Sequence, residues 1–474
     1  MTTQPVDPHT AQEWQAEEKA YVLHTWTAQS QWNAPTVTGG SGAWFWDDQG
    51  RRYLDLSAMA ECSHLGHQHP AVIQAIKRQA EEMMFVTSGW GNRTRAMLAK
   101  KVVERAQMPG GKVLFALGGA EANENAIKMA RWVTGRQKVI TRHRSYHGAT
   151  AGAMELSGDS RGWNYSPGPP GVVHALPPYC YRCPFGLTYP SCGIRCADHI
   201  AELIEWEGPQ TVAAVLVEPA AGTNGITAPP EYWPRLREIC DRYGVLLIAD
   251  EVMSGFGRTG HWFAWQQPSP PAPLPPSPPA PLPQGEGRLA PDMMTMAKGL
   301  TAAFMPLGGV VVNKKIADYF EDHVLETGLT YSGHPMSCAA GLAALETYER
   351  DGLVERSKQL GAWLHGQLRE MAEDHPSVGD IRGQGLFAQI EFVKASKMQD
   401  AQSARGKEPL AKWPQTPPVL RQLVAEGRKR ETSLAVRGNL LVLCPPLVIE
   451  QADLAMGLRV LDDLLGMVDK AAQA

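Results

Sequence analysis

Short apolar runs alternate with amphipathic segments between Lys112 and Val312, and this alternation limits the folds open to the chain. The runs include "KVLFAL", "TVAAVLVEP", "VLLIAD" and "GGVVVN", and turn residues bound each of them. Such runs form strands that are buried on both faces, and helices between them make parallel crossover connections. The alternation therefore predicts an α/β fold, with a mostly parallel sheet covered by helices on both sides.

The two ends of the chain predict a second, smaller domain. Helical patterns dominate beyond Pro335, with "GLFAQIEFV" and "LLVLCPPLVI" as later strands, which is typical of an α+β arrangement. The early segment "GAWFWDDQGRRYLDLSA" predicts a β-hairpin that joins the same domain. We therefore expect residues 1–75 to join the small domain, 76–334 to form the large domain, and 335–474 to complete the small one.

A proline repeat interrupts the predicted large domain. Residues 268–275 and 276–283 both read "PSPPAPLP", and such a segment lacks most of the backbone donors that regular structure needs. Lengthening a surface loop costs little free energy. We interpret residues 268–287 as an insertion loop without a part in function.

Composition excludes several classes of protein. The 474 residues are 43% hydrophobic and 20% charged, as in an ordinary globular protein with a large core. A net charge of −4 and a sequence pI near 6.4 give no basic surface, so we expect no nucleic-acid partner. The polar N-terminus and the lack of long apolar runs predict a cytoplasmic protein without a membrane partner.

Four of the eight cysteines cluster in the segment "CYRCPFGLTYPSCGIRC". A CxxC pair followed by a CxxxC pair has a spacing that could ligate zinc in a reducing compartment. The alternative is a loop that merely contains thiols, and spacing alone does not decide between the two. The zinc candidates are Cys180, Cys183, Cys192 and Cys196.

One lysine is the most unusual charge in the sequence. The stretch "MMTMAKGLTAAFMPLGG" contains a single charged side chain, Lys298. An unpaired buried charge is costly, so such a lysine is neutralised, paired or covalently bonded unless it reaches water at a strand end. The stretch by itself leaves both interpretations open.

Three further positions converge with Lys298 on one kind of ligand. Asp250 ends the predicted strand "VLLIAD", and ligands bind at the carboxyl ends of strands in open α/β sheets. Gly119 opens a helix directly after a strand, and free N–H groups at a helix start bind anions. Tyr146, in a loop after the strand "KVIT", could cover a flat ring. A phosphate, a heteroaromatic ring, a ring nitrogen and an aldehyde would satisfy these four residues, and pyridoxal phosphate carries all of them.

Several motifs also resemble those of a known family. "GGAEANENAIKMAR", "SYHGAT", "VEPAAGTNG", "IADEVMSGFGRTG", "TMAKGL" and "GLTYSGHP" are similar to motifs of the class III aminotransferases, the ω-amino-acid branch of the fold type I pyridoxal-phosphate enzymes. The resemblance covers residues 35–465 apart from the proline repeat. It implies a large domain with a mostly parallel, seven-stranded type of sheet, and a smaller α+β domain built from both termini.

The resemblance implies roles for the cofactor-binding residues. Lys298 matches the lysine that bonds to the cofactor and then moves a proton between substrate and cofactor. Asp250 matches the carboxylate that faces the pyridine nitrogen; an ion pair at about 4 Å is worth roughly 4 kcal/mol at an effective dielectric constant of 20. Val252 and Tyr146 match the residues on the two ring faces, and Glu218 matches a glutamate near the cofactor and substrate.

The resemblance also implies a homodimer and a carboxylate-binding residue. Thr330 matches a threonine that reaches the phosphate of the neighbouring subunit, so each active site would be shared between two subunits. Arg437 matches a mobile arginine of some relatives, and a guanidinium group forms the two-point contact that a keto-acid carboxylate needs. The alternative for Arg437 is an arginine on a surface turn.

Two positions depart from the family pattern. Ala120 stands where many relatives have serine, so phosphate binding here would depend more on backbone N–H groups. Glu61 lies near a substrate-pocket position that is often aromatic or small. We hypothesise that Glu61 disfavours a substrate carboxylate or binds a second amine.

The resulting expectation is a transaminase that moves an amino group from an ω-amino acid or amine to pyruvate or 2-oxoglutarate. The sequence leaves the donor and the choice of acceptor open. Alternatives are a decarboxylase or aminomutase on the same scaffold, or a non-catalytic protein that binds pyridoxal phosphate or zinc.

Overall fold

The computed structural model describes residues 8–268, 289–394 and 408–473. The proline repeat lies almost entirely outside these ranges. The strands are β1 Val37–Ser41, β2 Trp44–Asp47, β3 Arg52–Asp55, β4 Lys112–Ala116, β5 Lys138–Arg142, β6 Val172–Ala175, β7 Val212–Val217, β8 Leu246–Asp250, β9 Met293–Met296, β10 Gly308–Val312, β11 Val378–Gln384, β12 Phe387–Phe392, β13 Thr432–Ser433, β14 Ala435–Arg437 and β15 Leu440–Leu443.

The helices surround these strands and include one short turn with unusual backbone angles, α2. They are α1 Pro8–Tyr21, α2 Ala58–Glu61, α3 Pro70–Glu82, α4 Arg93–Arg105, α5 Gly119–Thr134, α6 Ala151–Leu156, α7 Arg195–Glu207, α8 Tyr232–Tyr243, α9 Lys314–Asp322, α10 Pro335–Arg350, α11 Leu353–Asp374, α12 Pro418–Lys429 and α13 Gln451–Gln473.

A seven-stranded sheet forms the centre of the fold, with the strand order β4, β10, β9, β8, β7, β5, β6. From β9 to β6 all neighbours are parallel, which confirms the predicted α/β class. Strand β10 is antiparallel to both β9 and β4, which the crossover argument did not predict. The chain between β9 and β10 contains no α-helix, and a parallel connection normally needs a helical crossover.

Both faces of this sheet are buried, because successive strand residues point to opposite sides. In β7, Val215 and Val217 belong to one hydrophobic core, whereas Leu216 belongs to a second core. Helix α5 covers that second face with Ala122 and Ala126. The six residues of β7 are all buried, which explains why its sequence reads as a continuous apolar run.

Two four-stranded sheets contain strands from the two ends of the chain. The predicted hairpin is confirmed, because β2 and β3 pair antiparallel. Strand β13 pairs in parallel with β3 and so joins the C-terminal part of the chain to this N-terminal hairpin. The other sheet has the order β11, β12, β15, β14. These sheets agree with the expected α+β contribution of both termini; the domain boundaries stay a prediction.

Among the helices that the structure describes, none combines the length and the apolar character needed to cross a membrane.

Candidate active site

A cavity of about 510 Å³ lies where β8 and the turn after β9 meet the start of α5. It brings together nine of the ten residues that the sequence singled out for cofactor and substrate. They are Glu61, Gly119, Ala120, Tyr146, Glu218, Asp250, Val252, Lys298 and Arg437. Residues more than two hundred positions apart in the sequence therefore line one space.

The carboxylate of Asp250 is fixed by three donors from different parts of the chain. Its Oδ2 accepts hydrogen bonds from Asn123 Nδ2 at 2.8 Å and from His147 Nδ1 at 2.7 Å. Its Oδ1 accepts one from the backbone N–H of Val252 at 3.0 Å. Since Asp250 is also almost fully buried, the carboxylate has one orientation at the edge of the sheet.

Asn123 and His147 were not predicted as partners of Asp250. Asn123 lies four residues after Gly119, on the same face of helix α5, and this spacing is the signal that could have identified it. His147 directly follows Tyr146, and its Nε2 also contacts Thr141 Oγ1 at 3.1 Å. The distance in sequence between His147 and Asp250 gives no such signal.

The start of α5 provides an anion site without a side-chain cap. Gly118 precedes the helix and no side chain accepts from the first-turn N–H groups at this cap. A Cβ atom on Gly119 would lie 2.8 Å from Val252 Cγ1, so glycine is required where the helix passes this side chain. Free N–H groups at the helix start, facing the cavity beside Ala120, are suited to a phosphate.

Tyr146 is held by a cation and by Glu218. The guanidinium carbon of Arg161 lies 3.6 Å from the centre of the Tyr146 ring. Glu218 accepts hydrogen bonds from the backbone N–H groups of Tyr146 and Gly222, each at 3.1 Å. Burial raises the pKa of Glu218 above its ordinary value. Arg161 was not identified from the sequence, since nothing in its local pattern indicates a contact with Tyr146.

Lys298 stands directly after β9 in a strained backbone conformation. Its φ of 41° lies in the left-handed region, which a residue with a side chain seldom adopts. The side chain is 26% exposed and its Nζ donates to Glu61 Oε2 at 2.9 Å. The expected convergence of an amine and the Asp250 carboxylate on one crevice is therefore observed.

Glu61 reaches the cavity from a left-handed turn. Ala58, Met59, Ala60 and Glu61 all have φ between 45° and 64°, an unfavourable conformation for four consecutive residues with side chains. The turn is anchored at its start, where Asp55 Oδ1 accepts from both the N–H and the hydroxyl of Ser57 at 3.0 Å. This turn, α2, directs an acidic side chain into the cavity.

The carboxylate of Glu61 pairs with two cations. Its Oε2 accepts from Lys298, and its Oε1 forms an ion pair with Arg437 at the end of β14. Glu61 is 2% exposed, and burial by itself would raise its pKa. Lys298 and Arg437 outweigh burial and lower the pKa of Glu61 to about 2. For Lys298, burial opposes the charge but Glu61 outweighs it, so the pKa of the lysine is raised.

Two further predictions concern residues outside this cavity. Thr330 is exposed and is not among the residues that line the cavity. The zinc site that the cysteine spacing allowed is not formed: within residues 8–268, 289–394 and 408–473, no three His, Cys, Asp or Glu side chains are arranged to hold a metal ion. All four cysteines nevertheless line one small cavity, from the exposed Cys180 to the buried Cys196 in the first turn of α7.

The residues of the cavity fit pyridoxal phosphate. An uncapped helix start faces one end, an aromatic ring and Val252 offer apolar contacts, and a fixed buried carboxylate and an amine are present in the same space. The group has a phosphate, a flat ring with a nitrogen, and an aldehyde, which correspond to these features. A mostly parallel seven-stranded sheet with this site is characteristic of the fold type I pyridoxal-phosphate-dependent transferases.

Comparisons with known proteins identify the family. Residues 27–465 match the family described as aminotransferase class-III. The putrescine–pyruvate aminotransferase of Pseudomonas aeruginosa is 32% identical over 93% of each chain. The diaminobutyrate–2-oxoglutarate transaminase of Halomonas elongata is 37% identical over 75% of this chain and 76% of its own.

A solved structure agrees with these relatives. The taurine:2-oxoglutarate aminotransferase from Bifidobacterium kashiwanohense, in complex with pyridoxal phosphate and glutamate, has a TM-score of 0.87 and 37% sequence identity, with 99% of each chain covered. The chain belongs to the class III aminotransferases. It is an enzyme of the transaminase type, and its cofactor is pyridoxal phosphate.

The Glu61–Lys298 pair generates a test of the site. Replacing Glu61→Gln removes the negative charge that raises the pKa of Lys298, so Lys298 should lose its proton at lower pH. The rate at which acetic anhydride labels Lys298 in cofactor-free protein, followed by peptide mass spectrometry across pH, measures this shift. Glu104→Gln, at an exposed acid beside Lys100, is the matched control. Identical labelling profiles for both variants would contradict the assigned pairing.

Proposed function

We propose that the enzyme transfers an amino group from an ω-amino acid or a simple amine to pyruvate or 2-oxoglutarate. The main support for this proposal is that Lys298, Asp250 and the start of α5 line the same cavity. The names of the similar proteins support the substrate classes: their donors are putrescine, diaminobutyrate and taurine, and their acceptors are pyruvate and 2-oxoglutarate.

Each residue of the cofactor site receives a role in this proposal. Bound pyridoxal phosphate supplies an aldehyde for the amine and a ring that accepts electrons from the substrate carbon. Lys298 Nζ would hold the cofactor between turnovers, carry away the proton that the donor carbon loses, and in the second half-reaction deliver a proton to the carbon of the keto acid. Asp250 keeps the ring nitrogen protonated, and Asn123 and His147 hold that carboxylate in place. Val252 and Tyr146 confine the ring, and Gly119 and Ala120 bind the phosphate through backbone N–H groups.

Glu61 and Arg437 act on the substrate in this proposal. Arg437 binds the carboxylate of the keto acid, for which its guanidinium fork is suited. In the observed conformation Glu61 forms an ion pair with the guanidinium group of Arg437, so an incoming carboxylate competes with Glu61 for this arginine. A donor with a second ammonium group gains an attraction to Glu61 instead. The pair therefore favours amines and diamines as donors over donors with a nearby carboxylate.

Replacing Asp250→Asn tests the proposed chemistry. Loss of an ion pair worth about 4 kcal/mol corresponds to roughly a thousandfold loss of kcat with the preferred donor and acceptor. A panel of amines and ω-amino acids, assayed against both acceptors, identifies that pair in the wild-type enzyme. Asp318→Asn, at an exposed acid paired with Lys314, is the control and should keep wild-type activity. An Asp250→Asn enzyme with wild-type kcat would exclude the assigned role.

We also propose that the enzyme is a cytoplasmic homodimer in which Thr330 contacts the phosphate bound in the partner subunit. Thr330 is exposed beside Tyr331, whose ring lies 5.7 Å from that of Phe85. Trp90, which follows Phe85 closely in the sequence, is 72% exposed. Large exposed apolar side chains such as these are typical of an interface with another protein chain, and a second copy would cover them.

Mixed dimers test this sharing of sites. Thr330→Ala removes a hydrogen bond to a charged phosphate, so cofactor binding should weaken about 10- to 100-fold. A dimer of one Thr330→Ala subunit and one Lys298→Ala subunit then has one site with an intact lysine and a threonine from its partner. Its activity at limiting cofactor should approach half that of the wild type, although each parent is defective. If mixing restores no activity, or if the protein is a monomer by light scattering, Thr330 does not serve a neighbouring site.

A further inference from the structure

A second cavity of about 730 Å³, here called the outer cavity, adjoins the first. The two cavities share Glu61, Tyr146, Lys298 and Arg437, so a substrate bound at Lys298 can extend into the outer one. Six cationic side chains but only three carboxylates line the outer cavity among the described residues. The cations are Arg144, Arg161, Arg182, Lys298, Lys412 and Arg437, and the carboxylates are Glu61, Asp159 and Glu391.

Most of these charges are paired with one another. Glu61 pairs with Lys298 and Arg437, and Asp159 pairs with Arg161. Glu391, buried on β12, accepts from Arg182 Nε at 2.6 Å, pairs with Arg382 at 2.9 Å and accepts from the Tyr179 hydroxyl. Arg382 has a second partner in Asp380 at 2.6 Å. Glu391 is therefore already engaged by three donors.

Among the described residues, two cations of this cavity form no ion pair, and of these Lys412 is exposed whereas Arg144 is half-buried. In the described part of the chain no carboxylate forms an ion pair with its guanidinium, and its buried Nε has no hydrogen-bond partner. Its guanidinium carbon lies 5.2 Å from the centre of the Tyr179 ring and 5.0 Å from that of Trp413. The backbone of Arg144 has a φ of 62°, a left-handed conformation that places the side chain here at a cost in strain.

Aromatic contacts leave the binding edge of a guanidinium available. Its N–H groups lie in its own plane, so rings above and below do not occupy them, and the planar fork matches a carboxylate or a sulfonate. A half-buried cation without an acidic partner is destabilising, which an anion from outside the chain would relieve. The arrangement at Arg144 is that of a preorganised oxyanion site.

The sheet register relates this site to Arg437. Glu391 and Arg437 both lie opposite Leu440, across β12, β15 and β14, so their side chains project from the same face. With neighbouring strands about 4.8 Å apart, the two Cα atoms are separated by about 10 Å. Glu391 and the Arg144 side chain near it therefore lie about 10 Å from Arg437 across the sheet, a distance that an elongated substrate can span.

We propose that Arg144 binds an oxyanion, a carboxylate or a sulfonate, at the far end of a substrate whose near end reacts at Lys298. The inference rests on the proposed transaminase chemistry and narrows its substrates. It favours acceptors with two acidic groups, such as 2-oxoglutarate, over pyruvate, and donors with a distal acid over donors with an apolar tail.

Binding of unreactive acids tests the site without turnover. Titration calorimetry on cofactor-loaded wild-type enzyme compares glutarate and adipate with the monoacids butyrate and hexanoate. The diacids should bind about 10- to 100-fold more tightly, the range expected for hydrogen bonds between charged groups. In Arg144→Gln this preference should disappear, and Arg144→Lys should restore part of it. A sulfonate of matched length, compared with the carboxylate, shows which oxyanion the site prefers.

Kinetics provide a second readout and a control. The ratio of kcat/KM for 2-oxoglutarate to kcat/KM for pyruvate should fall about 10- to 100-fold in Arg144→Gln. Arg421→Gln, at an exposed arginine of α12, should leave the ratio unchanged. Equal binding of diacids and monoacids by the wild type, or an equal loss for both in Arg144→Gln, would overturn the inference. Absence of transamination by the wild type with every donor would instead overturn the proposed function, because the calorimetry does not depend on turnover.

Discussion

The buried carboxylate of Asp250 joins three separate segments of the chain, and the geometry of the site follows from it. It ends β8, it accepts from Asn123 on α5, and it accepts from His147 in the loop after β5. A buried charge is stable only when its hydrogen-bonding capacity is used. Asp250 therefore fixes the start of α5 and the Tyr146 loop relative to the sheet edge, and these are the elements that contact a flat, phosphorylated cofactor.

A second set of charges controls what can approach Lys298. Glu61 lies on a left-handed turn and forms ion pairs with both Lys298 and Arg437 across the inner cavity. Farther out, Arg144 has no such partner among the described residues. A carboxylate near the reacting carbon must compete with Glu61 for Arg437, whereas the outer guanidinium is available to a carboxylate at a distance. Together the two features relate substrate choice to the position of an acidic group along the substrate and not merely to its presence.

The sequence predicted the central sheet well, because its strands are buried on both faces and read as continuous apolar runs. Strand ends and helix starts of an α/β sheet meet at one edge, and this predicted that Lys298, Asp250 and Gly119 lie close together. Other residues of the inner cavity, such as Glu61, Glu218, Val252 and Arg437, were implied by the resemblance to the class III aminotransferases. The antiparallel direction of β10 was missed, because the apolar run "GGVVVN" contains no information about strand direction. Sequence spacing left a zinc site at the four cysteines open, and among the described residues no three potential ligands are arranged to hold a metal ion.

The sequence could not predict which charged side chains of the site pair with one another. Glu61 was singled out as a substrate residue, but its contact with Lys298 spans 237 positions and depends on the left-handed turn of α2. That Arg144 forms no ion pair with a carboxylate among the described residues depends likewise on the pairing of Arg182 and Arg382 with Glu391. Such tertiary pairings leave no local periodicity or spacing in the sequence.

The central claim is that Lys298 is the amine that bonds to the cofactor. The most direct test is peptide mass spectrometry of pyridoxal-phosphate-saturated enzyme after borohydride reduction. We expect a reduced pyridoxyl phosphate group on the peptide that contains Lys298, and its loss when excess amino donor is added before reduction. An unmodified Lys298 in saturated enzyme, or a stable label on a different lysine, would contradict the account.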